Sequence, residues 1–333
     1  MIRVPYEEMK FQFERVLRSR GMGEAETLLC ARLLADTSLE GVYTHGAHRF
    51  PALISFIDRG IVDVHKKATL SASFGVLERW DGNSGVGNLN AHAAMSRAIE
   101  LAKAHAVGIV ALKNTNHWMR PGAYGIMAAE AGCIGILWTN TMPLMPAWGG
   151  LDATIGNNPL VIAIPSPEGI LLVDMAMSLF SYGKMEGYVR EGKPLPVPGG
   201  WDRDGTLTDD PQSILESKRP LPVGFWKGTS LALALDLVAA ALSGGNTTAD
   251  IRGMEEERDV SQVFIAVNLA SFPDRTEIEA RIASSLAAVN ASQPIEAGSE
   301  VRWPGQNRLK VREENLREGI PTDEGVWKTI LSL

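Results

Sequence analysis

Near the start of the chain, apolar residues recur at helical spacing in Met9, Phe13 and Val16. They do so again in Leu28, Leu29, Leu33 and Leu34, with Gly21-Met22-Gly23 as the break between the two runs. Two helices are therefore expected ahead of residue 45. A Gly/Asn-rich run at 82–90 (GNSGVGNLN) opens onto 91–105, where Ala, Met and Leu suit a helix, so a loop followed by a helix is expected there. Beyond it, short apolar runs with β-branched content at 108–112, 134–139, 160–164, 171–174 and 263–267 predict buried strands. They alternate with helical stretches at 124–131, 229–243 and 276–290, which predicts an α/β fold. The segment 183–222 is rich in Gly, Pro, Asp and Lys with little periodicity and reads as a long surface excursion. Residues 308–333 alternate charged and apolar positions at helical spacing and are expected to pack back on the first helices. The implied division is a helical domain from 1–72 with 300–333, and a mixed α/β domain over 73–299.

Composition narrows the function classes. The 333 residues are 45% hydrophobic and 21% charged, enough to bury one large core or two moderate ones. A formal net charge of -7 leaves no excess of Lys and Arg to neutralise phosphates, so a nucleic-acid partner is not expected. Cys30 and Cys133 lie in apolar surroundings without a CxxC neighbour, which suits free thiols in a reducing compartment, the cytoplasm. The opening MIRVPYEEMKFQFERVL lacks the apolar core of a signal peptide. The most apolar stretch, 231–242 (LALALDLVAAAL), is interrupted by Asp236 and falls short of the roughly 20 residues that span a bilayer. It is expected to be a core helix, with no membrane partner.

The chemistry-bearing residues leave alternatives open. The G-x-G-x-x-G of doubly wound dinucleotide domains is missing; 82–87 (GNSGVG) carries its glycines in the reverse order after a polar stretch, and a turn capping the next helix suits it better than a pyrophosphate cradle. His45 and His48 would share a helical face and could bind a metal in a lyase or hydrolase, but no nearby Glu or Cys completes a familiar ligand set, so no metal is expected. His45 and Arg49, four apart, would meet one carboxylated substrate if the segment is helical, the acid giving a proton and the guanidinium gripping the carboxylate. Arg49 reads equally as an ion pair at a surface. Asn116, His117 and Arg120 follow a predicted strand, where polar side chains commonly line a ligand crevice or complete a satisfied turn.

The ordered segments GVYTHG, NTNHWMRPGAYG, GNNPLVIAIP, VDMAMSLFSYG and GFWKG resemble the lactate/malate dehydrogenase type 2 family over essentially the whole chain, down to the ending DEGVWKTILSL. Trp118-Met119-Arg120 marks a likeness to one branch of it. The resemblance implies a homodimeric enzyme that uses NAD (NADH), or NADP in its place, to interconvert a small 2-oxo acid and its 2-hydroxy acid. It also implies a mixed-sheet NAD(P)-binding domain of non-Rossmann type, which accounts for the missing fingerprint. His45 matches the catalytic acid of that branch, while some relatives are described with the residue matching His117 in the proton-transfer role. Thr44, Arg49, Asn116 and Thr141 match substrate contacts. The cofactor segments match Asn140, the run Ile170, Leu171, Leu172, Val173, Asp174, Met175 and Ala176, then Trp226, Lys227, Gly305, Gln306 and Asn307. Lys227 would meet a phosphate or ribose, and Asp174 would accept from ribose hydroxyls; a solvated Lys stem and a helix N-cap are the ordinary alternatives. Thr44 stands where Ser is expected, Pro121 where Gly is, and Gln306-Asn307 where an acidic residue is usual, which leaves the NAD or NADP preference open.

Overall fold

The computed structural model describes residues 1–333. Its centre is a seven-stranded sheet in the spatial order Thr69–Phe74, Leu77–Asp81, Val107–Thr115, Val260–Asn268, Cys133–Thr139, Leu160–Ser166 and Gly169–Met175. Leu77–Asp81 and Val107–Thr115 run parallel and every other neighbouring pair is antiparallel, so the sheet is mixed. The last strand to be made, Val260–Asn268, is inserted between two earlier ones and is apolar along most of its length because both faces of the sheet are covered there.

Alternation along the strands sorts the core into two layers. Val110, Leu112, Leu137 and Phe264 point to the helices Gly87–His105 and Gly122–Glu130, where Trp118 and Tyr124 join them. Ala111, Trp138 and Val263 point to the opposite face and pack on Ala232, Leu235 and Ala239 of the helix Trp226–Ser243. A separate cluster joins the two ends of the chain: Met9, Phe13, Leu34 and Phe50 pack with Trp327 and Ile330, and Ile2–Val4 pairs with Ile320–Thr322. The tail therefore does pack back on the first helices. No helix is long and apolar enough to cross a membrane, and both cysteines are free and buried.

Two expectations need correction. The helix expected from residue 91 begins at Gly87, inside the Gly/Asn-rich run. Its low-propensity start is dictated by a close approach, since a Cβ on Gly87 would collide with the carbonyl groups of Asn116 and His117. The excursion at 183–222 is also structured: it holds the helices Tyr182–Glu191 and Pro211–Ser217 and a short hairpin pairing Gly200–Trp201 with Leu207–Thr208. Met185, Leu195 and Ile214 give it a small core. These anchors are too widely spaced for periodicity to show.

Candidate functional site

Val107–Thr115 and Cys133–Thr139 both lie antiparallel to the strand between them, so their carboxyl ends emerge on the same side. A cleft of about 790 Å³ opens there, walled on one side by the helical part of the chain and on the other by the sheet. Thr44, His45, Arg49, His117, Thr141, Leu172, Asp174, Ala176, Gly305 and Asn307 all reach it.

His45 and Arg49 arrive on two successive 3-10 turns, Tyr43–His45 and Ala47–Arg49, and not on the α-helix that their spacing suggested. Gly46 separates the turns. A Cβ there would press on the Leu34 carbonyl and the Ser38 amide, and the Ala47 N–H donates to Ser38 Oγ at 2.8 Å, so the turn is seated directly on the end of the helix Glu24–Leu39. His45 Nδ1 lies 3.1 Å from Thr44 Oγ1. Burial, with Arg49 and Arg120 nearby, pushes the His45 pKa down to about 4. Arg49 enters none of the chain's ion pairs, whereas the other two cleft arginines are tied to one carboxylate: Arg120 meets Glu40 at 2.6 Å and Arg308 meets it at 2.7 Å. His48 faces away toward Arg190, Asp323 and Glu186. No group of three or more His, Cys, Asp or Glu side chains is placed to hold a metal ion.

His117 stands opposite His45, with ring centroids 5.9 Å apart and planes 23° from parallel. Its Nδ1 accepts the Met119 N–H at 3.0 Å. Burial and the positive charge of Arg49 hold it well below its ordinary pKa. Asn116 is buried behind it: the amide donates to the Ser84 and Gly85 carbonyls at 3.0 and 2.9 Å and pins the 82–87 turn under the histidine, outside the cleft. That turn carries a helix start, as its glycines suggested.

On the sheet side, the Asp174 carboxylate accepts the Gly122 N–H at 3.0 Å, so close that a Cβ on Gly122 would strike it. The Leu172 N–H donates to the Pro304 carbonyl at 2.9 Å, and Gly305, at φ +92°, lies against Ile170 and Leu172 with no room for a side chain. This brings 305–307 beside the strand Gly169–Met175. Gln306 instead turns its amide oxygen back to the Trp303 N–H at 3.2 Å. Asn140 is fully used elsewhere: it donates to Asp236 and to the Asn246 carbonyl, each at 2.8 Å, and accepts from the Ser261 N–H at 2.7 Å. Its side chain braces the sheet and leaves the cleft to Thr139 and Thr141. Trp226 and Lys227 lie outside the cleft, exposed at the start of their helix, with the Lys227 ammonium 5.9 Å from the Trp226 ring centre.

Sequence reasoning missed Glu257 and Gln262. Glu257 is half-buried in the cleft wall, accepts the Met142 N–H at 3.3 Å and faces Arg49; burial raises its pKa. Gln262, buried on the central strand, and Arg120 both line the cleft, and Gln262 Oε1 and Arg120 Nε are buried without a hydrogen-bond partner. A polar residue inside the run VSQVFIAVN is the one signal that marked Gln262. The cleft volume falls in the range of cofactor and drug-sized ligand sites, and its lining of Arg49, Thr141, Asn157 and Asn307 suits a large polar occupant such as a nicotinamide cofactor with a small acid beside it.

Comparison with known proteins shows the family. Residues 4–331 match the model of the malate/L-lactate dehydrogenase family. The chain is 42% identical over 333 residues to a 2,3-diketo-L-gulonate reductase of Salmonella paratyphi A, covering all of both chains. A sulfolactate dehydrogenase from Methanocaldococcus jannaschii shares the structure with a TM-score of 0.91 and 29% identity, over 99% of this chain and 95% of that one. A malate dehydrogenase from Entamoeba histolytica does so with a TM-score of 0.92 and 25% identity, over 99% and 96%.

Proposed function

Because the chain belongs to the malate/L-lactate dehydrogenase family and is an oxidoreductase acting on a CH–OH group, we propose that it reduces 2,3-diketo-L-gulonate or a closely similar 2-oxo acid, with His45 giving the proton and Arg49 holding the carboxylate. The observation that carries this is Arg49, a guanidinium without an ion-pair partner in a cleft whose other arginines are already paired and which it shares with His45. A planar guanidinium grips a carboxylate with two parallel hydrogen bonds. The choice of substrate rests on the full-length likeness to the Salmonella enzyme.

A reduced nicotinamide, when bound, supplies the hydride that the carbonyl carbon receives. The groups suited to hold it are Leu172, Asp174 and Ala176 on one strand with Gly305 and Asn307 beside them, Asp174 accepting from ribose hydroxyls. Thr141 and the paired Arg120 line the same cleft. His45 transfers its proton to the carbonyl oxygen as that oxygen gains charge, and Thr44 Oγ1 holds the ring through Nδ1. The hydroxyl suits both stages, since it accepts from Nδ1–H in the imidazolium and still does so in the neutral ring left when Nε2 has given its proton.

The exposed face of Trp226–Ser243, with Leu231, Leu233, Leu237 and Val238, supports a homodimer in which a second copy covers that face. The test of the function is a screen of 2-oxo acids that follows absorbance with NADH and NADPH separately. Turnover of 2,3-diketo-L-gulonate above malate and lactate analogues is expected, and no oxidation of either nucleotide with any acid in the panel would overturn the reading.

A further inference from the structure

We propose that His117 serves the reaction as a permanently neutral hydrogen-bond donor, presenting Nε2–H to the carbonyl oxygen of the bound acid, and that it takes no part in moving the proton; this rests on the 2-oxo acid reduction proposed above. The two cleft histidines differ in what meets their Nδ1. At His45 it is a hydroxyl, which donates or accepts as the ring requires. At His117 it is the Met119 N–H, which can only donate. Nδ1 of His117 must therefore keep its lone pair, and in the neutral ring the proton sits on Nε2. An imidazolium, or the other neutral tautomer, would set two N–H groups against each other at 3.0 Å inside the protein.

The amide cannot easily turn away. Met119 stands at φ +64°, a conformation that non-glycine residues seldom adopt, and Asn114, earlier in the same segment, stands at φ +50°. Asn116 fastens the segment to the 82–87 turn, and Gly87 lies against the His117 carbonyl. The charged and titratable groups acting on the ring, Arg49 and His45, both oppose a second proton, and no carboxylate is placed to favour one. The two rings stack, both reaching the cleft, so an oxygen at the open rim of the stack would receive the proton from His45 and the fixed N–H of His117. His117 keeps its own proton throughout. A donor prearranged where negative charge develops is worth on the order of a hundred- to a thousand-fold in kcat.

The test joins spectroscopy to kinetics. In the enzyme–NADH complex with oxamate, ¹⁵N spectra of ring-labelled histidine should show one ring, assigned by its loss in His117→Gln, with Nε2 protonated and Nδ1 bare at every pH from 5.5 to 8.5. In steady-state reduction, His117→Gln places an amide N–H near the position of Nε2 and should lose no more than about tenfold in kcat, keeping the alkaline limb of the pH–rate profile that deprotonation of His45 sets; His117→Leu, which has no donor, should lose a hundred- to a thousand-fold. Protonation of Nδ1 within that pH range would overturn the proposal, as would equal losses in both variants with the limb abolished. The spectrum of the unaltered protein decides even if the Leu variant fails to fold. Failure of the unaltered enzyme to reduce any 2-oxo acid would instead remove the reaction assigned to it, and the donor role with it, whatever the tautomer.

Discussion

Seating a carboxylate on Arg49 should drive proton uptake by His45, and Coulomb's law sets its order of magnitude for a separation of about 6 Å. His45 stands at a pKa of about 4 because it is buried near two guanidinium groups, so it is almost entirely neutral at pH 6 in the free cleft. A unit negative charge about 6 Å from the ring, at an effective dielectric constant of about 20, stabilises the imidazolium by about 2.8 kcal/mol, which raises its pKa by about 2. On that footing roughly half a proton is taken up per anion bound at pH 6, and roughly a tenth at pH 7. The substrate's own charge thus prepares the acid that reduction needs. Calorimetric titration of oxamate into the enzyme–NADH complex, in buffers with different ionisation enthalpies, measures the uptake directly. Glu257 also faces Arg49, and its raised pKa lets it claim a share. The His45→Asn variant removes only the histidine's part, so the difference between the two proteins is the quantity sought. No difference at pH 6, or proton release in place of uptake, would refute the electrostatic account of His45.

Arg49→Lys should raise KM for the acid by tenfold or more with a smaller change in kcat, because a point-charge ammonium cannot form the two-pronged contact; an unchanged KM would place the carboxylate elsewhere. Stability should fall on acidification. The unfolded chain protonates its histidines near pH 6.5 while folded His45 resists until about 4 and burial holds His117 down as well, so nothing is lost above that window, and by pH 5 His45 alone has withdrawn about 2 kcal/mol. Thermal melts from pH 7.5 to 5 should show a shallower decline for His45→Asn than for the unaltered protein. If the proposed homodimer uses the exposed apolar face of Trp226–Ser243, Leu237→Glu should shift the species seen by light scattering from dimer to monomer; a monomer mass for the unaltered protein would overturn the dimer, and a dimer mass in both would move the contact off that helix.

Much of the fold was legible because its strands are buried on both faces and so read as plain apolar runs. The five runs expected from 108–112 to 263–267 all lie in the seven-stranded sheet. The hairpin Thr69–Phe74 and Leu77–Asp81 was not seen, since the outer strand of a sheet edge is largely exposed and carries no apolar run. Of the site, His45, Arg49 and His117 could be named from residue type and from the family's motifs, but not their turns: the 3-10 geometry depends on Gly46 meeting Ser38, a contact with no local signature. Glu257 and Gln262 were illegible for a different reason. Each comes from a segment more than a hundred residues further along, and only the insertion of Val260–Asn268 between two earlier strands carries Gln262 to the cleft floor. Asn140 shows the converse, a motif residue whose side chain is consumed by bracing the sheet.

The most direct test of the account is the His45→Asn variant, followed by single-turnover loss of NADH absorbance with 2,3-diketo-L-gulonate and, separately, by NADH binding. The account predicts a fall in the rate of roughly a hundred- to ten-thousand-fold, the range a positioned general acid supplies, with NADH bound as tightly as before. A rate within a few-fold of the unaltered enzyme would contradict it.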